Sequence, residues 1–374
     1  MVVRIISQNY MKKVIAINIG SRNKKYAYFE EGEEKSKSEF DITETESFRI
    51  FLESLQTDLS EMILGIRVVA PGKLFVENRE IDNEYLEKLR ESKNVAPLHT
   101  DLTIKEIDYI KNNFKDLKIF AVSDSSFHKS IGETAKIYAI PKNLREEYGI
   151  ERQGYHGLSL SSVVNKINTE FGSVPEKMIV CHLGGGSSVT ALRDGISVDT
   201  SMGWTPLEGV PMTERVGDID PGIIAFLSEK LGKNGLELEK FLAEECGLEA
   251  ISGVDKGDIQ KLLEEEKNGN ERAHLALDVY VYKIKKYIGA MSAVLGGCDL
   301  LVFTGTVGFR SAPIRERVVQ NLEYLNLFVD TDKNNNTYEP QSIEFLNENR
   351  KVAVVPIDEM KEIAKAVEFC IGGR

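Results

Sequence analysis

The sequence is poor in cysteine and has no apolar run long enough to cross a membrane. Its four cysteines (Cys181, Cys246, Cys298 and Cys370) are too scattered for a metal-binding motif, which favours reduced thiols in the cytoplasm over a disulfide-stapled scaffold. The N-terminal segment MVVRIISQNYMKK lacks the pattern of a cleavable signal peptide. We therefore expect a cytoplasmic protein that has no membrane as a partner.

Positive charge is also in deficit, since 47 basic residues face 59 acidic ones and the net charge is −12. Binding of nucleic acid needs a basic face, so we expect no nucleic-acid partner. The five histidines form no metal-binding cluster in the sequence. A hydrophobic content of 42% and a length of 374 residues suit a globular protein of two domains.

The sequence does contain a glycine-containing hairpin pattern that occurs twice. Residues 14–32 (VIAINIGSRNKKYAYFEEG) and residues 178–195 (MIVCHLGGGSSVTALRDG) each read as strand, glycine loop, strand and turn. A glycine cluster after a strand often cradles phosphate ahead of a helix, but here a second strand follows. This arrangement resembles sugar kinases, actin and the large heat-shock chaperones, in which two such hairpins clasp the phosphates of a nucleotide.

Between and after the hairpins, periodicity predicts further elements. Helices are expected at 46–55, 159–172, 221–232, 274–295 and 312–322. Buried strands are expected within 61–72, 117–128, 299–308 and 351–360, the third ending in a small-residue loop and the last leading into a terminal helix. The polar stretch DKNNNT at 332–337 reads as a loop.

Nine segments, in order, closely resemble acetate kinase. They are INIGSRNKKY, GIRVVAPG, VAPLHTDL, VSDSSFHKS, YAIPKNLREEYGIERQGYHGLSL, CHLGGGSS, DTSMGWTPLEGVPMTERVGDIDPG, VFTGTVGFRSAPIRERV and VVPIDEMKEIAK. The resemblance runs from Met11 to near the C-terminus and implies an α/β fold of two similar ribonuclease H-like domains, the duplicated actin and sugar-kinase type, with a cleft between them. The first would span 11–126 and be completed by a C-terminal helix at 361–374. The second, at 127–360, would bind nucleotide and form the interface of a homodimer.

The resemblance also implies an activity: reversible transfer of a phosphoryl group from ATP to acetate or propionate, giving acetyl phosphate and ADP with the help of Mg²⁺ or Mn²⁺. Both flanking groups and the group in flight are anionic, so catalysis needs cations, hydrogen-bond donors and in-line positioning. By similarity Arg67 and Arg215 grip the carboxylate and the phosphoryl group, and His156 stabilises the transition state. Asp124 is the essential carboxylate, and Asn18 and Glu359 stand at the metal site.

Binding residues follow from the same motifs. The acyl pocket implied by the resemblance consists of Arg67, Val69, Leu98, His99, Tyr155 and Pro206, with Tyr155 replacing a usual phenylalanine. The nucleotide positions are Ser21, Lys25, His182, Leu183, Gly184, Gly185, Gly186, Asp258, Ile259, Gln260, Thr306, Val307, Gly308, Phe309 and Arg310. One methylene changes discrimination only about 10–200-fold in such a pocket, so acetate and propionate both stay open.

Three departures from the family pattern keep alternatives open. Gly185 replaces an asparagine donor, Thr306 puts a branched side chain where adenosine would approach, and Glu214 adds a negative charge next to Arg215. A filled adenosine cleft would suit pyrophosphate as donor, and a diverged homologue would have a binding or regulatory role. A sugar kinase needs a polar pocket, and a chaperone-like ATPase needs an appended domain for which no residues remain.

Overall fold

The computed structural model describes residues 13–20, 23–55, 57, 62–93 and 97–372, without the side chains of 97–99. The first twelve residues, which include Met11 where the resemblance begins, and the predicted site residue Ser21 lie outside this description. The described strands are β1 Lys13–Ile19, β2 Asn23–Glu30, β3 Glu33–Asp41, β4 Met62–Val68, β5 Arg79–Glu80, β6 Lys118–Ser123, β7 Lys177–Leu183, β8 Ser187–Arg193, β9 Ile196–Thr200, β10 Leu300–Thr304, β11 Glu344–Phe345 and β12 Val352–Val354.

Helices connect and cover these strands. The described helices are α1 Ser47–Ser54, α2 Asn83–Ser92, α3 Pro97–Asn113, α4 Glu133–Lys136, α5 Lys142–Tyr148, α6 Gly157–Phe171, α7 Pro221–Leu231, α8 Gly235–Glu244, α9 Gly247–Ser252, α10 Ile259–Lys267, α11 Glu271–Leu295, α12 Gly305–Arg310, α13 Ala312–Val319, α14 Thr331–Asn336 and α15 Glu359–Gly372. Single 3₁₀ turns lie at Lys73–Val76, Ser126–Ser130, Asp255–Gly257 and Glu323–Leu325.

The described strands form two six-stranded sheets with one topology. The first has the order β3-β2-β1-β4-β6-β5, and the second, taken from its other edge, has the order β9-β8-β7-β10-β12-β11. In each sheet two antiparallel hairpins come first, two parallel neighbours follow, and a short antiparallel strand closes the edge. The predicted duplicated α/β fold is therefore confirmed.

The repeated hairpin is built from the same local chemistry in both halves. The turns after β2 and β8 have Glu31-Gly32 and Asp194-Gly195 at their centres, and all four residues have positive φ, from 52° to 77°. Positive φ at both central positions defines the type I′ turn, whose twist matches that of paired strands. A glycine at the second position of each turn thus explains why both chain segments reverse within two residues.

Apolar side chains fill both faces of each sheet. The first sheet packs on one face against α1, α2 and α3, and on the other against α15. The second sheet packs against α11 on one face and against α6 on the other. Gly65 in β4 permits the close approach of α15, since a Cβ there would lie 2.5 Å from Val367 Cγ2. The last helix of the chain thus lies on the first sheet.

Two segments predicted as loops are helices. The small-residue segment after β10 continues directly into α12. The polar stretch DKNNNT forms most of α14, because the carboxylate of Asp330 accepts from Lys333 N at 2.8 Å and caps the first turn. None of the described helices combines the length and apolarity needed to span a membrane.

Candidate active site

A cleft of about 1300 Å³ lies where the parallel strands of both sheets end. Carboxyl ends of neighbouring parallel strands meet at one edge, so residues that follow β1, β4 and β6 gather there with those that follow β7 and β10. The predicted site residues that line it are Asn18, Lys25, Arg67, Val69, Asp124, Tyr155, His156, His182, Gly184, Gly185, Gly186, Pro206, Arg215, Asp258, Ile259, Gln260, Thr306, Val307, Phe309, Arg310 and Glu359. Residues far apart in sequence thus share one cavity.

Four polar side chains from four elements form one network on the floor of the cleft. Arg67 Nη2 donates to Asp124 Oδ2 at 2.8 Å, and its Nη1 lies 3.3 Å from Asn18 Oδ1 and 3.7 Å from Glu359 Oε2. Asn18 Nδ2 donates to Glu359 Oε2 at 2.8 Å. The guanidinium thereby connects the end of β1, the residue after β6 and the start of α15.

Burial and neighbouring charges together set the pKa values of Asp124 and Arg67 in this network. Burial by itself would raise the pKa of Asp124, but the Arg67 guanidinium and the backbone N–H of His156 hold it below its usual value. Burial opposes the charge of Arg67, yet Asp124 and Glu359 raise its pKa. Both groups are therefore ionised at neutral pH. One carboxylate oxygen, Asp124 Oδ1, is buried without a hydrogen-bond partner and can accept from a ligand.

Two imidazoles stack against each other beside this network. The rings of His156 and His182 lie 4.0 Å apart with an interplanar angle of 23°. Burial, with His182, Arg67 and Arg215 nearby, lowers the pKa of His156 well below its usual value. Burial also lowers the pKa of His182, against the pull of Glu359. Both rings are accordingly neutral near pH 7, so each can offer an N–H without adding a full charge.

The second cation of the cleft, Arg215, lies on the loop between β9 and α7. Its Nη1 donates to the carbonyl oxygen of Pro206 at 3.4 Å. Burial lowers its pKa to about 10, while Glu214 favours the charged form. A Cβ placed on Gly186 would lie 3.1 Å from His156 Nε2 and 3.6 Å from Arg215 Nη1. The glycine loop, the imidazole and the guanidinium therefore surround one point.

A small apolar part of the cleft, lined by Val69, Tyr155 and Pro206, adjoins that point. Tyr155, Met202 and Met212 form a buried cluster against which Val69 packs. The hydroxyl that distinguishes tyrosine from phenylalanine donates to the carbonyl oxygen of Trp204 at 2.6 Å, so it is satisfied within the protein. The predicted pocket residues Leu98 and His99 lie in α3, and their side chains are outside the described part of the structure.

The other half of the cleft extends from Lys25 towards α10 and α12. Thr306 is exposed to it and does not fill it, so the alternative that rests on a filled adenosine cleft is not favoured. Two predicted nucleotide residues, Leu183 and Gly308, do not line the cleft. The side chain of Leu183 lies in the core beside the second sheet, because successive residues of β7 point to opposite faces. The carbonyl of Gly308 accepts from Arg315 at 2.8 Å.

Arg315 fixes the two segments that border this half. Its side chain is fully buried, and its five N–H groups donate to oxygens of Gly308, Phe309, Asn334 and Thr337 at 2.7–3.0 Å. Burial lowers its pKa to about 10. These bonds join the end of α12 to the end of α14, next to Tyr338, which also lines the cleft.

Several residues at the site were missed from sequence. Lys256 and Lys267 line the cleft. Both are basic residues close to the predicted 258–260 segment, so the sequence could have indicated them as phosphate-binding candidates. Ser159 donates to Glu359 Oε1, and Ser188 Oγ lies 2.9 Å from His156 Nδ1. The sequence could not predict the roles of these two serines, because each contacts a residue that is distant in sequence.

The oxygen donors of Asn18 and Glu359 suit a magnesium ion. Mg²⁺ prefers few protein oxygens, several waters and phosphate oxygens. Asn18 and Glu359 offer an amide and a partly exposed carboxylate in direct contact. Within the described residues no group of three or more histidine, cysteine, aspartate or glutamate side chains could hold a metal alone. The site therefore fits an ion that arrives with phosphate oxygens.

Known proteins resemble this chain both in sequence and in structure. The sequence model of the acetokinase family matches residues 2–365. An acetate kinase from Clostridium novyi (strain NT) is 39% identical over 304 residues, which span 81% of this chain and 76% of the relative. A crystal structure of Porphyromonas gingivalis acetate kinase matches with a TM-score of 0.81 at 30% identity, covering 96% and 100% of the two chains. A propionate kinase from Francisella tularensis subsp. tularensis SCHU S4 matches with a TM-score of 0.83 at 28% identity, covering 95% and 99%.

Proposed function

Because this chain belongs to the acetokinase family, we propose that it reversibly transfers the γ-phosphoryl group of ATP to acetate, giving acetyl phosphate and ADP. The observation that carries the proposal is the convergence of Arg67, Asp124, His156 and Arg215 on one cleft with a small apolar pocket. Propionate differs from acetate by one methylene, and one similar structure is that of a propionate kinase, so we propose propionate as the second candidate substrate.

In the reaction an oxygen of the acetate carboxylate attacks the γ-phosphorus in line, and the bond to the β,γ-bridging oxygen breaks. ADP leaves with the bond's electron pair, and no proton has to be transferred. Arg67 holds the carboxylate, while Arg215 and the neutral imidazole of His156 donate to the equatorial oxygens, where charge is spread in the transition state. Asn18 and Glu359 would hold Mg²⁺, which neutralises charge on the β- and γ-phosphate oxygens when it is bound.

The alternatives are less well supported. Pyrophosphate as donor would leave unused the half of the cleft between α10 and α12, which Thr306 does not close. A purely regulatory role would not need two ionised arginines and a buried carboxylate oxygen around an apolar pocket. Glu214 favours the charged form of Arg215, so the guanidinium keeps its positive charge at neutral pH.

We further propose that the active form is a cytoplasmic homodimer. The helix α7 is largely apolar, yet none of its residues is buried, and Ile223, Phe226 and Leu231 are 45–56% exposed. A second copy of the chain would cover this surface. Sedimentation of wild type and of Phe226→Asp tests it: a monomeric wild type contradicts the proposal. The cysteines are all free, which suits a reducing compartment.

The activity is tested by trapping acetyl phosphate as hydroxamate in reactions with acetate, Mg²⁺ and either ATP or pyrophosphate. We expect product with ATP, and a loss in kcat of about 10²–10³-fold or more for Arg215→Ala. Arg193→Ala, which removes an arginine from the end of β8 away from the cleft, should keep wild-type rates. No product with ATP from the folded wild type would refute the proposal. Product with pyrophosphate alone would show that pyrophosphate, and not ATP, is the phosphoryl donor.

A further inference from the structure

Contacts to the backbone, one ring face and one ring nitrogen hold His156 in place. Its backbone lies at φ 63° before α6, and its N–H donates to Asp124 Oδ2 at 2.8 Å. One face of the ring stacks on His182, and Nδ1 lies 2.9 Å from Ser188 Oγ. The remaining atom, Nε2, points at the glycine loop, where a Cβ on Gly186 would be 3.1 Å away. Only Nε2 is thus placed to meet the phosphoryl group.

The β7–β8 hairpin delivers two of these contacts together. His182 and Ser188 are directly paired across the antiparallel strands, so their side chains lie on the same face of the sheet. Ser188 is fully buried, and its hydroxyl has His156 as its side-chain partner. The strand register therefore places this hydroxyl against one nitrogen of the imidazole.

A neutral imidazole carries one proton, and its position decides what the ring can do. With the proton on Nε2, the ring donates to an anionic phosphoryl oxygen; with the proton on Nδ1, the Nε2 lone pair repels that oxygen. The hydrogen bond made by one ring nitrogen sets which nitrogen is protonated. The depressed pKa of His156 makes the ring neutral at pH 7, so this choice matters here.

A second histidine, His128, also has a serine hydroxyl next to Nδ1, and there the direction of the hydrogen bond can be assigned. His128 Nε2 lies 2.9 Å from the carbonyl oxygen of Tyr155, and Nδ1 lies 2.8 Å from Ser197 Oγ. A carbonyl can only accept, so the proton of the neutral ring is on Nε2 and Ser197 donates to Nδ1. A buried serine on Nδ1 of a neutral histidine therefore already serves as donor in this protein.

We propose that Ser188 is a positioning residue for the phosphoryl transfer: its hydroxyl donates to Nδ1 of His156 and keeps the ring proton on Nε2, facing the glycine loop. The inference rests on the proposed function for its kinetic consequence, but not for the tautomer itself. Ser188 does not touch the reacting atoms and acts only through the imidazole.

The tautomer is measured first, in the wild-type protein labelled with ¹⁵N-histidine. Two-bond ¹⁵N–¹H correlations distinguish the two neutral forms, the His156→Gln variant identifies the signal, and His128 provides an internal example of the Nε2–H form. We expect His156 to be Nε2–H in wild type and a mixture of both forms in Ser188→Ala. An Nδ1–H form in wild type overturns the proposal without any variant being needed.

Kinetics supply the second arm. In Ser188→Ala we expect kcat to fall about 10-fold, less than the ~10²–10³ seen when a donor is removed outright, with the KM of acetate within about 2-fold of wild type. Thr190→Val is the matched control, since it removes an equally buried hydroxyl from the same face of β8, one that bonds Thr200 instead. It should keep the wild-type kcat.

A fall in kcat with an unchanged tautomer overturns the proposal, because the hydroxyl would then act by packing alone. A wild-type kcat in Ser188→Ala overturns it as well. If the wild type transfers no phosphoryl group, the proposed function fails, while the spectra still decide whether Ser188 fixes the proton.

Discussion

Gly65 offers a test of how the last helix holds the active site. A Cβ at this position would lie 2.5 Å from Val367 Cγ2 and 2.8 Å from Ile363 Cγ2, against 3.4–4 Å for ordinary contacts. Both partners are β-branched and keep one preferred rotamer in a helix, so they cannot swing aside. In Gly65→Ala the helix α15 must therefore move outwards by about 1 Å.

The magnitude follows from this overlap. Overpacking of a filled core costs about 1–3 kcal/mol, which we expect as the loss in the free energy of unfolding in urea. Glu359 begins α15, and a shift of about 1 Å at a reacting site can cost up to ~100-fold in rate. We expect kcat of acetyl phosphate formation to fall between about 10- and 100-fold, and more Mg²⁺ to be needed for half-maximal rate.

The double variant Gly65→Ala/Val367→Ala is the control, because it removes the closest clashing atom. Val367→Ala alone leaves a cavity and destabilises, but together the two changes should compensate by at least about 0.5 kcal/mol in a double-mutant cycle. Wild-type stability and rate in Gly65→Ala would refute the reasoning. Strictly additive free energies would show that the two residues do not press on each other.

Two further predictions concern the glycine loop and acid stability. Gly185→Asn should lower the KM of ATP about 2–10-fold with the KM of acetate unchanged, since a Cβ there would meet no atom within 4 Å and the side chain adds an amide donor; an unchanged or higher KM of ATP would contradict this. Burial lowers the pKa of His128 to about 4 from an unfolded value of about 6.5, so its neutral form contributes stability above pH 6.5 that is lost as the pH falls towards 4. Urea unfolding should show wild type losing about 3 kcal/mol more than His128→Gln over that interval, and parallel losses would refute the assignment.

Much of this architecture could be predicted because it depends on local patterns. The two hairpins turn at Glu31-Gly32 and Asp194-Gly195, and each turn depends on two adjacent residues that can be recognised in the sequence. The two loops that proved to be helices show the limit, since α14 depends on a single cap by Asp330 in a polar stretch with no apolar periodicity.

The candidate site was predictable where residues belong to motifs, and otherwise was not. Arg67 and Asp124 stand at strand ends, so topology alone brings them together. Ser188 acts across a strand register and Ser159 acts on a residue 200 positions away, and no local pattern reports such contacts. Arg315 could not be predicted for another reason: four of its five acceptors are backbone carbonyl oxygens, which every residue has.

The position of α15 has a consequence for how the protein is made. The first sheet is complete at Ser123, but the helix that covers one of its faces begins only at Glu359. At 5–20 residues per second a ribosome needs about 10–50 s to bridge that gap. During this time Val14, Ala16 and Phe29 present apolar surface without their final partners Ile363 and Val367. The first sheet is thus synthesised first and covered last, and a chain released early would lack both the cover of this sheet and the carboxylate of Glu359.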